Sequence, residues 1–342
     1  MTTSTKTRED DVAGVLLGTA LGDALGLPAE GLDGPTIARR FRRLDRFALV
    51  GKTGYVSDDT EQSALVAEAI VAAPDDIPRC LASFRRALLG WFLRLPFGVG
   101  LSTLRACLRI AFGRSRSGIY SAGNGAAMRA AIVGAAIEDP QQRRELGARL
   151  ARVTHTDPRA VDGALYVAEL AAACVAADPS VPRISLVRAA QEVTSDPQVR
   201  EAIEAAISMA QCIREDGEAA SELGTTGFVI HTVGLSTFLF LRHGDIPLAA
   251  IQATIRVGGD TDSNAAIVGA WTGGLHGVKA LPHELLAQIQ DGPFGPTHLR
   301  GLANALQNGT APPRWSWVQA WLRNLMLFPV VLAHGVRRLW PW

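Results

Sequence analysis

The chain has 342 residues, with 34 basic and 33 acidic side chains and a formal net charge of +1. That balance supplies no global field toward nucleic acid or an anionic membrane, and the length suffices for one large domain with a substantial core. The four cysteines, Cys80, Cys107, Cys174 and Cys212, form no CxxC pair. Their spacing argues against a zinc site or a disulfide framework, and their apolar neighbours predict buried free thiols.

In chain order, residues 1–10 are polar with no apolar core, which predicts a disordered start rather than a signal peptide. With reduced cysteines, this fits a cytoplasmic protein. Apolar residues at three- and four-residue spacing predict helices over Thr60–Ala73, Arg79–Leu95, Leu101–Phe112, Ala126–Ile137, Arg159–Ala177, Gln198–Arg214 and Ser263–Gly273. The apolar run Phe228–Phe240 is also read as helix. Strand-like alternation is scarce, so the predicted class is all-α, a single compact domain over residues 11–310.

Residues 311–342 differ from the rest. Five of the seven tryptophans lie there, beside an apolar run Leu325–Ala333 flanked by Arg323, Arg337 and Arg338. The run is too short to span a bilayer, and Pro329 is expected to interrupt it. Docking on the domain or on a second subunit is the favoured reading. A membrane-surface element is the sharper alternative.

Two acidic clusters stand at predicted helix starts, Ser57-Asp58-Asp59-Thr60 and Gly258-Gly259-Asp260-Thr261-Asp262-Ser263. Unpaired N–H groups and the helix dipole favour carboxylates there and are expected to hold them ionised. Carboxylate and hydroxyl oxygens suit hard divalent cations. Each cluster alone also reads as a helix cap, and Asp59 with Gln62 resembles a capping box. Gly258-Gly259 permits a sharp turn before Asp260. Beyond it, Ala265, Ala266, Gly269, Ala270 and Gly273 form a small-residue face for close helix packing, which is expected to bring the second cluster against the first.

These blocks, taken together with Gly14–Gly26, Glu30 and Gly123-Asn124-Gly125-Ala126-Ala127-Met128-Arg129, resemble the ADP-ribosylglycohydrolase family over roughly Val12–Leu281. The resemblance implies a compact all-helical fold with a pair of Mg²⁺ or Mn²⁺ ions in a cleft. It implies Ser57, Asp58, Asp59, Asp260, Asp262 and Ser263 as metal ligands, with serines replacing the usual threonines at the ends of the set. Ser121, Gly123, Asn124 and Gly125 would hold the diphosphate of ADP-ribose, and His155 would contact the substrate. Asp157 is read as a local cap. Glu30 matches a catalytic glutamate.

The expected partner is therefore an ADP-ribosylated protein or a small ADP-ribosyl substrate, with no specific nucleic acid. The expected reaction is hydrolysis of the glycosidic bond to ADP-ribose. A slow or non-catalytic ADP-ribose reader and a metal-dependent phosphohydrolase are the competing readings. Gly98 stands where the nitrogenase-regulating relatives carry an aspartate proposed to help cleave ADP-ribosyl-arginine, which leaves the linkage open. The arginines at 39, 40, 42, 43 and 46 are read as a solvated helix face.

Overall fold

The computed structural model describes residues 8–212 and 215–338. Among them the chain forms seventeen α-helices and three short 3-10 turns, with isolated bridges in place of any sheet. The all-α expectation holds. The predicted helices appear as Asp58–Ala72, Ile77–Phe92, Leu101–Ala111, Pro158–Ala176, Pro197–Gln211, Val229–His243 and Thr261–His276. Several start earlier than their apolar pattern. Asp76, Asp157 and Asp196 cap them with side-chain carboxylates, and a proline follows in the first turn. The expectation over Gln198–Arg214 ends on a residue outside the described set.

The predicted helix over Ala126–Ile137 is shorter. A 3-10 turn at Asn124–Ala126 and an irregular turn precede a helix confined to Ala131–Ala136. Here the Asn124 amide reaches Asp260 and Arg129 takes the Gly125 carbonyl, so these polar groups are satisfied outside a helical ladder. At the start of the chain, residues 1–7 lie outside the described residues. Arg8–Asp10, expected to be disordered, already belong to the helix Arg8–Gly26.

That first helix organises the molecule. It is long and apolar enough to cross a membrane, yet from Asp11 to Gly26 every residue is buried inside the domain. Its partner is the Thr261–His276 helix. Gly14, Gly18 and Gly22 sit directly on the backbone carbonyls of Gly273, Gly269 and Ala265, where any Cβ would collide. The small-residue face seen in the sequence therefore packs on the N-terminal helix, not on the Ser57 helix. Thr261 Oγ1 donates to the Gly26 carbonyl at 2.9 Å and fixes the register at the site end.

Residues after Pro313 cross back over the domain. Pro329 does not interrupt them: one helix runs through it from Trp317 to Arg338. Pro329 lies on the exposed face, where water can take the Leu325 carbonyl that loses its helical partner. The inner face is anchored. Trp315 Nε1 donates to Glu68 at 2.6 Å, Asn324 Nδ2 donates to the Arg94 carbonyl at 3.1 Å, and Arg323 ion-pairs with Glu61. Three cysteines are buried as expected. Cys212 is exposed, because it follows the last turn of the Pro197–Gln211 helix rather than facing the core.

Candidate active site

The two acidic clusters begin helices far apart in sequence and meet through the N-terminal helix. Asp23, one residue past Gly22, is completely buried and accepts hydrogen bonds from the Ser57 N–H at 2.9 Å and from the Thr60 hydroxyl at 2.5 Å. It also accepts from the Thr60 N–H. Because Gly22 lies on Ala265, this anchor sets the first cluster beside the second. Burial, against hydrogen bonds from Thr60 and Ser57, pushes the Asp23 carboxyl up to about 6.

The second cluster is held by its loop. Gly258 and Gly259 both take φ of +84°, which gives the sharp turn expected of them. Gly31 N–H donates to the Gly259 carbonyl at 2.7 Å, Gly259 N–H donates to the Leu32 carbonyl at 2.8 Å, and Asp260 N–H donates to Thr225 at 2.7 Å. The Glu30 loop is thus stitched to the Asp260 loop. Glu30, Asp58, Asp59, Asp260, Asp262 and Ser263 line one cleft of about 630 Å³.

Three carboxyls of this cleft are not stabilised in the ionised form. Burial first, then neighbouring carboxylates, raises Asp58, Asp59 and Asp262 well above the usual carboxylate range. Desolvation and like-charge repulsion outweigh the helix dipole that was expected to hold them charged. Among the described residues, no group of three His, Cys, Asp or Glu side chains forms a finished metal cage. The donor set nonetheless suits divalent cations. Asp59 Oδ1 and Asp262 Oδ1 are buried with no hydrogen-bond partner, and buried carboxylate oxygens call for a cation or a proton.

The hydroxyls play unequal parts. Ser263 lines the cleft and hydrogen-bonds Asp59. Ser57 lies one step back, buried, with Oγ donating to Asp59 Oδ2 at 3.1 Å and capping the helix through the Asp59 N–H. Gln62 is no capping-box partner of Asp59. Its amide donates to Asp58 Oδ2 at 3.2 Å, and its carbonyl accepts from buried Arg129 at 2.7 Å.

The glycine segment forms the opposite wall. Gly123, Asn124, Gly125 and His155 line the cleft, while Ser121 is set back and accepts from the Gly123 N–H at 3.3 Å. The Asn124 side chain does not offer its amide to the open cleft: Nδ2 donates to Asp260 Oδ2 at 2.6 Å and to Thr232 at 3.0 Å. His155 is fixed by backbone pairing of Ile119 with Thr154 and Thr156. Its Nδ1 lies 2.8 Å from Thr154 Oγ1, which itself accepts from Arg129. With Thr154 donating its hydroxyl proton to Nδ1, the ring hydrogen sits on Nε2, near Gly123, and this is the tautomer we assign. Burial, and secondarily Arg129, lowers His155 to about 3, so the ring is a neutral donor. Asp157 caps the next helix as expected, accepting from the Arg159 N–H at 3.0 Å.

Sequence reasoning missed three contributors. These are the anchor Asp23, the relay Gln62–Arg129–Thr154, and the loop Thr225-Thr226-Gly227, which lines the cleft and receives the Asn124 N–H on the Gly227 carbonyl at 2.9 Å. Asp23 lies within the Gly14–Gly26 block and gives a signal as the lone carboxylate of the apolar stretch Val12–Gly26. The loop gave only its two glycines, Gly224 and Gly227.

The model of the ADP-ribosylglycohydrolase family matches residues 4–315. An uncharacterized protein of Archaeoglobus fulgidus is 31% identical over 296 residues, 84% of this chain and 93% of its own length. The ADP-ribosyl-[dinitrogen reductase] glycohydrolase of Rhodospirillum rubrum is 25% identical over 291 residues, 82% of this chain and 90% of its own. A solved structure described as an ADP-ribosylglycohydrolase-related protein complex superposes with a TM-score of 0.69 at 26% identity, over 88% of this chain and 98% of its own. With the family model covering nearly the whole length and the cleft assembled from its motifs, this chain belongs to the ADP-ribosylglycohydrolase family.

Proposed function

We propose that the chain hydrolyses the glycosidic bond between ADP-ribose and a modified side chain or small ligand, using a pair of divalent cations, Mg²⁺ or Mn²⁺. The observation that carries this reading is the meeting of Asp58, Asp59, Asp260 and Asp262 in one cleft, with unpartnered buried oxygens on Asp59 and Asp262 and Glu30 alongside. Those four aspartates, with Ser263 and Ser57, would hold the cations. Bound there, such ions supply charge stabilisation and an activated water.

The remaining work falls to the chain itself. Cleavage at an anomeric carbon needs a proton delivered to the leaving group or removed from water. Glu30, which lines the cleft beside these aspartates, is the carboxyl we assign to that role. The Gly123 and Asn124 N–H groups already donate to Ser121 and to the Gly227 carbonyl, so the donors left for a diphosphate are the Gly125 N–H and His155 Nε2–H. Asn124 positions Asp260, and Gln62 positions Asp58.

Gly98 bears on the linkage. Its φ is +82°, and a Cβ there would lie 2.5 Å from Asp58 Oδ1. An acidic side chain at this position would need backbone rearrangement and would press a further charge on Asp58. This favours a leaving group that needs no carboxylate at this point.

The test is incubation with arginine- and serine-ADP-ribosylated peptides, with and without Mg²⁺, followed by product analysis. Free ADP-ribose, dependent on the cation, is expected from at least one peptide. AMP as the product would replace the reading with phosphoanhydride cleavage. Tight ADP-ribose binding with no product from either peptide would make the chain a reader.

A further inference from the structure

The Trp317–Arg338 helix buries one face and exposes another. Ala320, Arg323, Asn324 and Leu327 turn inward, and Leu327 joins a small cluster with Leu27 and Phe97. The outward stripe carries Val318, Leu322, Leu325, Met326, Leu332 and Val336, with Met326 71% and Leu332 57% exposed. With exposed Pro329 between Leu325 and Leu332 these recur at three- and four-residue spacing, so the apolar surface is continuous along about five turns. An apolar face of that length on a soluble domain marks a surface made to be covered.

Charge selects the occupant. From Gly292 to Trp342 the chain has five arginines and no aspartate or glutamate, whereas the whole chain balances at +1. Arg323 is consumed by Glu61, while Arg300 and Arg314 are exposed. A second copy docking through the same stripe would bring arginine-bearing segments together with no acid of this segment to answer them. An anionic lipid surface answers the exposed arginines, and Trp317, 41% exposed, suits the headgroup boundary.

The anchoring on the domain decides how the helix can lie. Arg323 and Asn324 are buried in contact with Glu61 and Arg94, so the inner face cannot be released into hydrocarbon without abandoning a buried ion pair. The helix can rest on a bilayer and cannot cross it while docked. We propose that the outward face of the Trp317–Arg338 helix is a peripheral membrane-binding element selective for anionic phospholipid. It does not depend on the reaction proposed above.

The full chain is mixed with vesicles of phosphatidylglycerol and phosphatidylcholine in equal parts, or of phosphatidylcholine alone, and sedimented at low and at high salt. The expected result is about tenfold more protein pelleted with the anionic vesicles, released by salt. The double variant Met326→Glu with Leu332→Glu should stay in the supernatant at an unchanged melting temperature. A second pair, Val318→Gln with Leu325→Gln, repeats the test without adding charge and should pellet several-fold less than the parent chain. Equal pelleting with both vesicle types, no pelleting with either, or undiminished binding by both folded variant pairs overturns the proposal. So does a lipid-free dimer that the Met326→Glu, Leu332→Glu pair converts to monomer, since a second copy would then own the face.

Discussion

The side-chain amide of Asn124 donates to Asp260 Oδ2 at 2.6 Å, joining two motifs 136 residues apart. This places the asparagine of the glycine segment behind a proposed metal ligand, where it fixes which oxygen faces the cleft. Asn124→Ala should therefore lower cation affinity and turnover together, by about 10- to 100-fold as for other partners of metal ligands. Asn124→Asp should be worse, since it adds a carboxylate to a site already crowded with them. Cation titration of turnover checks both; an unchanged cation dependence in Asn124→Ala would remove the positioning role.

Glu30 should separate chemistry from binding. Glu30→Gln keeps the shape of the side chain and removes its acid–base capacity, so ADP-ribose should still bind while turnover falls by at least about 100-fold. Calorimetry with ADP-ribose and a product assay measure the two halves. Full retained turnover would take Glu30 out of the reaction.

The crowded carboxylates predict an inverse behaviour of stability. Without cations, Asp59 and Asp262 bury oxygens that nothing donates to. Replacing both with asparagine should raise the melting temperature measured in chelator, because repulsion is relieved. Mg²⁺ at about 100 times its dissociation constant should stabilise the parent chain by roughly 2.7 kcal/mol and leave the double variant unmoved. A parent melting temperature that ignores Mg²⁺ and Mn²⁺ would count against cation binding.

Much of this was legible before the fold. The acidic clusters and the glycine turn are short-range patterns: helix starts attract carboxylates, and glycines mark turns; Glu30 came from the family resemblance. The roles of Gln62 and Asn124 were not legible. Spacing along one chain reports neighbours on the same helix, so Gln62 read as a cap partner, when its amide in fact turns to Asp58 and its carbonyl to Arg129, 67 residues away. The small face of the Thr261–His276 helix was visible, but not which helix it met. That choice depends on the matching glycines of the first helix, a pairing only the topology reveals. The ionisation expectation failed for a related reason: a helix dipole is local, while burial comes from the whole fold.

His155 offers a test of the hydrogen-bond relay. Its folded value of about 3 lies below the ordinary 6.5, so the neutral ring is the form that folding favours. The resulting stability is complete above about pH 6.5 and is lost as pH falls from there toward 3. NMR of the ring should show no titration between about pH 5 and 8. Thr154→Val removes the hydroxyl facing Nδ1 and should free the tautomer, which ¹⁵N shifts of the ring report.

The contact of Gly18 with the Gly269 carbonyl leaves no room for a methyl group. Gly18→Ala should cost about 1–3 kcal/mol or more, read as a lower denaturant midpoint at constant slope. Gly217→Ala, with nothing near its Cβ and no positive φ, should leave the midpoint unchanged or slightly raised.

The close pairing of the first helix with a helix some 235 residues later has a consequence for biosynthesis. At roughly 5–20 residues per second, the apolar stretch Val12–Gly26 leaves the ribosome on the order of 10–50 s before its mate exists. During that interval it has no native surface to lie against, so nascent chains of this protein should be clients of holding chaperones. The cleft can close only near the end of translation.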